Sequence, residues 1–274
     1  MFTADRVGVR IDGWGPTVVL LHSSMSSKSQ WRKLVDSLRN THRLIAIDLH
    51  GYGETGWPRT EHDFGLDDEV KLIESVLARH APAGECFHLV GHSYGGAVAL
   101  QLALAAPDRV RSLSLFEPGA FHLLPLDERV RADLEALRCD VHASLAKNDA
   151  HRGAARFIDF WNGDGAFASL SSRRQASLTQ LLPKTALDFQ AVARACPNIA
   201  AYRRLRTPAC LIGGRHSPQV ARTVLSVLGE TLPRAACHHI AAGHMAPVTH
   251  PELVNPLIAD FVRAFDSNTQ SKAA

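Results

Sequence analysis

The chain has 274 residues, 46% of them hydrophobic and 21% charged, a composition that suits a globular protein able to bury a sizeable core. Its formal net charge is only +3. The basic residues are scattered, with no Lys/Arg run or aromatic–basic stripe of the kind that marks a nucleic-acid surface. Five cysteines without CxxC spacing argue against a disulfide framework and against a zinc site. The longest apolar stretch, Gly95 to Ala106, is interrupted by Gln101 and is too short to span a bilayer. Residues 1–10 carry no apolar segment of the signal-peptide kind. These features favour a cytoplasmic protein with no membrane or nucleic-acid partner, a monomer or homodimer, needing no metal and no cofactor.

In chain order, short apolar, β-branched runs alternate with segments of helical period, which predicts an α/β fold with a mostly parallel central sheet flanked by helices. Strands are expected over residues 7–11, 18–22, 44–48, 87–91, 110–117, 209–212 and 237–240. Helices are expected over 29–40, 66–80, 95–106, 219–228 and 251–265. The turn at Asp12-Gly13 and Gly15-Pro16 is expected to join two antiparallel edge strands. Between residues 121 and 206 the strand rhythm stops. That stretch reads as helices over 127–147, 151–161, 166–182 and 185–195, broken by a tight turn at Gly163-Asp164-Gly165. Because the strand pattern resumes directly afterwards, residues 121–206 read as a helical cap inserted into a core domain made of 1–120 and 207–274. The last residues, 267–274, read as a frayed tail.

The strongest chemical signal is Gly91-His92-Ser93-Tyr94-Gly95-Gly96, a G-x-S-x-G directly after an apolar strand and directly before an Ala/Leu-rich helical segment. A serine forced onto a sharp strand-to-helix turn projects its hydroxyl clear of the sheet. The crowded backbone leaves no room for side chains two positions either side, so Gly91 and Gly95 fit there. Gly96 would let the helix lie close to the sheet. The helix start also aims backbone N–H groups, beginning with that of Tyr94, at developing negative charge.

Four segments in order, Leu20-Leu21-His22-Ser23-Ser24, Ile47-Asp48-Leu49-His50-Gly51-Tyr52-Gly53, Gly91 to Gly96 and Gly243-His244-Met245-Ala246, resemble the α/β-hydrolase superfamily. The resemblance covers nearly the whole chain and implies an α/β-hydrolase fold. It implies Ser93 as nucleophile and His244, in the loop after the last strand, as general base, since a free serine hydroxyl is a poor nucleophile near neutral pH. It also implies an oxyanion hole from the backbone N–H groups of Ser24 and Tyr94. The sequence departs from the family at Ser23, where many relatives carry glycine. Most of the Ser-rich run from Ser23 to Ser29 reads as a helix-capping loop.

The third member of such a triad usually follows the strand near Ile212, but Gly213-Gly214-Arg215-His216-Ser217-Pro218 contains no carboxylate. Some superfamily members keep their acid at the end of the preceding strand, here Glu117-Pro118. Glu117 is therefore the expected orienting acid. Asp127, or a dyad assisted by His216 or Ser217, is the alternative. Asp48 is expected to tie its own loop by hydrogen bonds, and His92 to point away from the serine.

The expected reaction is acyl transfer through an acyl-enzyme on a small-molecule substrate: a small to medium ester, thioester or lactone. Serine at position 93 argues against dehalogenase and epoxide-hydrolase chemistry. C–C bond hydrolases, perhydrolase or haloperoxidase-like proteins and cofactor-free dioxygenases share the fold and residues. A catalytically silent ligand-binding protein is the non-enzyme alternative. Expected substrate contacts are Trp161, Phe157 and Met245, with Phe160, Phe167 and Leu170 as further apolar members of the cap.

Overall fold

The computed structural model describes residues 6–124, 128–195 and 197–266. The expectations for Asp127, for Cys196 and for the tail over 267–274 lie outside the described residues. Seven strands form one sheet: β1 (Val9–Asp12), β2 (Thr17–Leu21), β3 (Arg43–Ile47), β4 (Phe87–His92), β5 (Val110–Phe116), β6 (Ala209–Gly214) and β7 (Ala235–Ile240). Their order is β1-β3-β2-β4-β5-β6-β7. Every neighbouring pair is parallel except β1 with β3.

The period of two along each strand explains how the sheet is covered. Val18, Leu20, Leu44, Ala46, Val90, Phe116 and Ile212 face one side, where they pack with α1 (Arg32–Leu38) and the C-terminal helix. Val19, Leu21, Ile45, Ile47, Leu89, Leu113, Leu115 and Leu211 face the other, against α2 (Leu66–His80) and α3 (Tyr94–Ala105). Between β5 and β6 run α4 (Glu128–Ala146), α5 (Ala150–Asn162), α6 (Ser172–Gln180), α7 (Leu182–Arg194) and α8 (Ile199–Arg204). The chain closes with α9 (Gln219–Thr231), α10 (Ala246–Thr249) and α11 (Pro251–Asp266). No helix among the described residues is long and apolar enough to cross a membrane.

The expected hairpin at residues 12–16 is corrected. β1 and β2 are not neighbours, because β3 lies between them, with Val9 opposite Ile47. The reason is in the two glycines. Gly13 (φ +76°) and Gly15 (φ +105°) pass so close to residues 39–42 that a Cβ would meet the Arg39, Thr41 and His42 carbonyl oxygens at 2.2–2.4 Å. That path carries the chain across the start of β3 as it reverses, so β2 is laid down beyond β3 and not beside β1. Among the helices, α6 is shorter than expected, since residues 166–170 are turn. The helix expected from 185 begins at Leu182, where Pro183 occupies the first turn. α8 was not anticipated; its signal is Asn198, whose side chain accepts the Ala200 N–H at 2.9 Å.

Candidate active site

The turn between β4 and α3 carries Ser93 at φ 52°, ψ −116°, a conformation costly for a residue with a Cβ and maintained only where the surroundings enforce it. Here they do. The Ser93 N–H donates to the Phe116 carbonyl at 3.0 Å, and the Ser93 carbonyl accepts N–H groups from Ala97 (3.0 Å) and Gly119 (2.9 Å). A Cβ on Gly91 would lie 2.5 Å from the Gly95 carbonyl oxygen, and one on Gly95 would lie 2.4 Å from that of His22. One on Gly96 would strike Pro118 at 2.8 Å. The elbow is thus wedged between β2 and the segment following β5.

His244 reaches this serine from the loop after β7. Its Nε2 lies 3.0 Å from Ser93 Oγ and its Nδ1 lies 2.6 Å from Glu117 Oε2. Because a carboxylate oxygen accepts, Nδ1 carries the proton and Nε2 is left to accept from the serine hydroxyl. Glu117 itself is buried and sits at φ 43°, which ends β5 and turns its side chain across β6. There its Oε1 accepts the Gly214 N–H at 2.7 Å. The β6 turn that lacks a carboxylate therefore donates to the one from β5. Its His216 is exposed, and Ser217 is buried with an unpartnered hydroxyl.

His92 points away from Ser93 and donates from Nε2 to the His244 carbonyl at 2.9 Å. Burial, with the His244 ring beside it, holds the His92 imidazole well below its ordinary pKa, so it remains neutral. Asp48 ties its loop, accepting the Lys28 N–H and ammonium, both at 2.6 Å, and the Glu54 N–H at 2.9 Å.

Ser93 opens into a small cavity whose walls include Ser24, Tyr94, Thr185 and Asp188 on the polar side. Phe121, Phe157, Trp161, Phe189 and Val192 make the apolar side. Tyr94 is the first residue of α3, so its N–H has no acceptor within the helix. Trp161 lies stacked on the His244 imidazole, ring centroids 4.3 Å apart at 26°, with Phe121 stacked on Trp161 in turn at 6.1 Å. Of the expected substrate contacts, Phe157 and Trp161 line the cavity. Met245, half-buried at the N-cap of α10, is not among the lining residues. Phe160 and Phe167 pack instead against Trp161 and His151.

Sequence reasoning missed Asp188 and Lys184. They lie four apart in α7, a spacing legible in the sequence but indistinguishable there from a surface ion pair. Ser24 Oγ donates to Asp188 Oδ2 at 2.5 Å. Among the described residues, no three His, Cys, Asp or Glu side chains converge as a metal site would require.

Comparison with known proteins bears on the fold and the family. Pyrrolizixenacetamide deacetylase of Xenorhabdus hominickii is 27% identical over 270 residues, spanning 95% of this chain and 96% of the relative. The 2-hydroxymuconate semialdehyde hydrolase of Pseudomonas sp. strain CF600 is 24% identical over 278 residues, spanning 96% and 92%. Among solved structures, a thermophilic esterase from Thermogutta terrifontis shares the fold with a TM-score of 0.74 at 19% identity, covering 94% of this chain and 93% of that one. The model of the α/β-hydrolase fold family matches residues 16–251, and the chain belongs to that family.

Proposed function

We propose that the protein is a serine hydrolase that forms an acyl-enzyme on Ser93 and acts on a small to medium ester, thioester or lactone. One observation carries the reading: a single imidazole within hydrogen-bond reach of both Ser93 Oγ (3.0 Å) and Glu117 Oε2 (2.6 Å). In acylation, His244 Nε2 takes the Ser93 proton as Oγ bonds to the substrate carbonyl carbon. The carbonyl oxygen becomes negative and is held by the N–H groups of Ser24 and Tyr94. Collapse of this intermediate breaks the bond to the leaving group, which takes the proton from His244. A water, deprotonated by the same nitrogen, then attacks the acyl carbon; the acyl–Oγ bond breaks, the acid leaves, and Ser93 Oγ takes the proton back from His244. Glu117 keeps Nδ1 protonated and balances the imidazolium. The helices over 121–206 act as a cap, with Phe157 and Trp161 forming the acyl pocket.

A fluorophosphonate probe tests the proposal: stoichiometric labelling at Ser93, lost in Ser93→Ala, is expected. No labelling of the unmodified protein at neutral pH would remove the acyl-enzyme from consideration. A C–C bond hydrolase is the second reading, favoured by the full-length similarity to 2-hydroxymuconate semialdehyde hydrolase. Turnover of 2-hydroxymuconate semialdehyde in preference to a panel of nitrophenyl esters would select it.

A further inference from the structure

Behind the loop that follows β2, three ionisable side chains meet in the protein interior. Lys184 of α7 is fully buried; its ammonium donates to Asp188 one turn on and lies 3.4 Å from Glu69 Oε1 of α2. It also sits 4.7–4.9 Å from the ring centroids of Tyr52, Phe64 and Tyr94. A lysine taken so completely from water must be compensated. Here two carboxylates and three aromatic faces supply that compensation.

Each carboxylate then reaches outward to one of the two residues assigned above to the oxyanion hole. Asp188 Oδ2 accepts the hydroxyls of Ser24 and Tyr52, each at 2.5 Å. Glu69 Oε1 accepts the Tyr94 hydroxyl at 3.1 Å. Ser24 and Tyr94, from separate turns of the core, are thus tied by their side chains to one lysine of α7.

The loop needs such a restraint. Position 23 is serine where glycine is usual, and Met25 adopts φ 55°, so local preference alone does not select the conformation. His22 Nδ1 donates to the Ser23 carbonyl at 2.7 Å, and Ser23 donates to Gln30 Oε1 from both its N–H (3.2 Å) and its hydroxyl (3.1 Å). The Ser24 side chain is held from the α7 side, by Asp188. Resting on the serine-hydrolase reading, we infer that Asp188, anchored by Lys184, is a positioning residue that holds the Ser24 N–H on the developing oxyanion through the Ser24 hydroxyl. The oxyanion hole is then complete only while α7 is docked on the core, which couples the helices over 121–206 to the chemical step.

The test is a double-mutant cycle on the full-length protein with 4-nitrophenyl butyrate. Asp188→Asn and Ser24→Ala each lower kcat by roughly ten- to a hundredfold, the scale expected of a misplaced catalytic group, with KM within about twofold. The double variant falls no further than the worse single one, because both remove the same link. Ser24→Thr, which keeps the hydroxyl, recovers most of the loss. Unchanged kcat in Ser24→Ala, losses confined to KM, or losses that multiply in the double variant would overturn the inference. Should Asp188→Asn not fold, the contrast between Ser24→Ala and Ser24→Thr still decides it. Fluorophosphonate labelling of the unmodified enzyme is run alongside. Its absence removes the serine-hydrolase reading, and this inference with it; its presence beside an unaffected Ser24→Ala removes this inference alone.

Discussion

Glu117→Gln is a near-isosteric change whose effect follows from the two hydrogen bonds of the carboxylate. Oε1 must go on accepting the Gly214 N–H at 2.7 Å, so the glutamine amide oxygen takes that place. Its NH2 group then faces His244 Nδ1 across 2.6 Å. Nδ1 must become an acceptor, the ring proton moves to Nε2, and the nitrogen beside Ser93 can no longer receive the hydroxyl proton. Recovering the productive tautomer means flipping the amide and setting NH2 against the buried Gly214 N–H, a cost of about 1–3 kcal/mol for an unsatisfied donor. Loss of the charge-assisted bond to the imidazolium adds about 1.5–3 kcal/mol. Together these are worth roughly 2.5–6 kcal/mol at the transition state, or about a 10²- to 10⁴-fold fall in kcat. Steady-state hydrolysis of 4-nitrophenyl esters at pH 7, with thermal melting to show an intact fold, measures it. A Glu117→Gln enzyme folded like the parent and within threefold of its turnover would refute the reasoning.

Further expectations concern stability. Gly95→Ala places a methyl 2.4–2.5 Å from the His22 and Leu21 carbonyl oxygens, and should cost about 3 kcal/mol or more because backbone on both sides must move; a denaturant midpoint matching the parent would contradict it. Lys184→Met leaves Asp188 and Glu69 buried without their cation, and destabilisation by about 3–5 kcal/mol in the same assay is expected. His122, stacked on Tyr202 at 5.7 Å, has its pKa lowered by burial from 6.5 to about 4. The folded state therefore binds fewer protons than the unfolded chain between those values. Stability is full above pH 6.5 and declines as pH falls towards 4. His22, His88 and His92, also shifted downward by burial, act in the same direction. His122→Phe keeps the stacking and should retain about 1–2 kcal/mol more of its neutral-pH stability at pH 4.5, allowing for the partial exposure of the ring. An unchanged pH slope in unfolding titrations would count against it.

The order of elements is legible in the amino-acid sequence because strand and helix periodicities are local properties. Apolar runs such as residues 18–21 and 44–47 mark buried strands on their own. The elbow is legible for a similar reason: the steric demand for Gly91 and Gly95 is made by backbone a few residues away. Position in chain order likewise singles out His244, and the missing carboxylate after β6 directs attention to Glu117. What stays hidden depends on which distant segments meet. The hairpin expected at residues 12–16 fails because Gly13 and Gly15 respond to the carbonyls of residues 39–42, contacts that no local pattern encodes. Met245 sits beside His244 in sequence, yet it is not among the residues that line the cavity. Phe121, Phe189 and Val192 enter that cavity from the stretch read as a cap, where no motif distinguishes them from residues that only pack.

Sequence alone therefore determined the alternation of strands and helices, the strained serine turn and the histidine that follows the last strand, since each is imposed by neighbours along the chain. Tertiary structure decided between the partners that the sequence left open: that Glu117, among the acids considered, faces His244 while taking the Gly214 N–H, that Trp161 covers the imidazole, and that Lys184 is enclosed between Asp188 and Glu69. Those outcomes rest on burial and on hydrogen bonds across 97 to 127 residues of chain, and a buried ion pair looks the same in sequence as an exposed one until the fold removes the water.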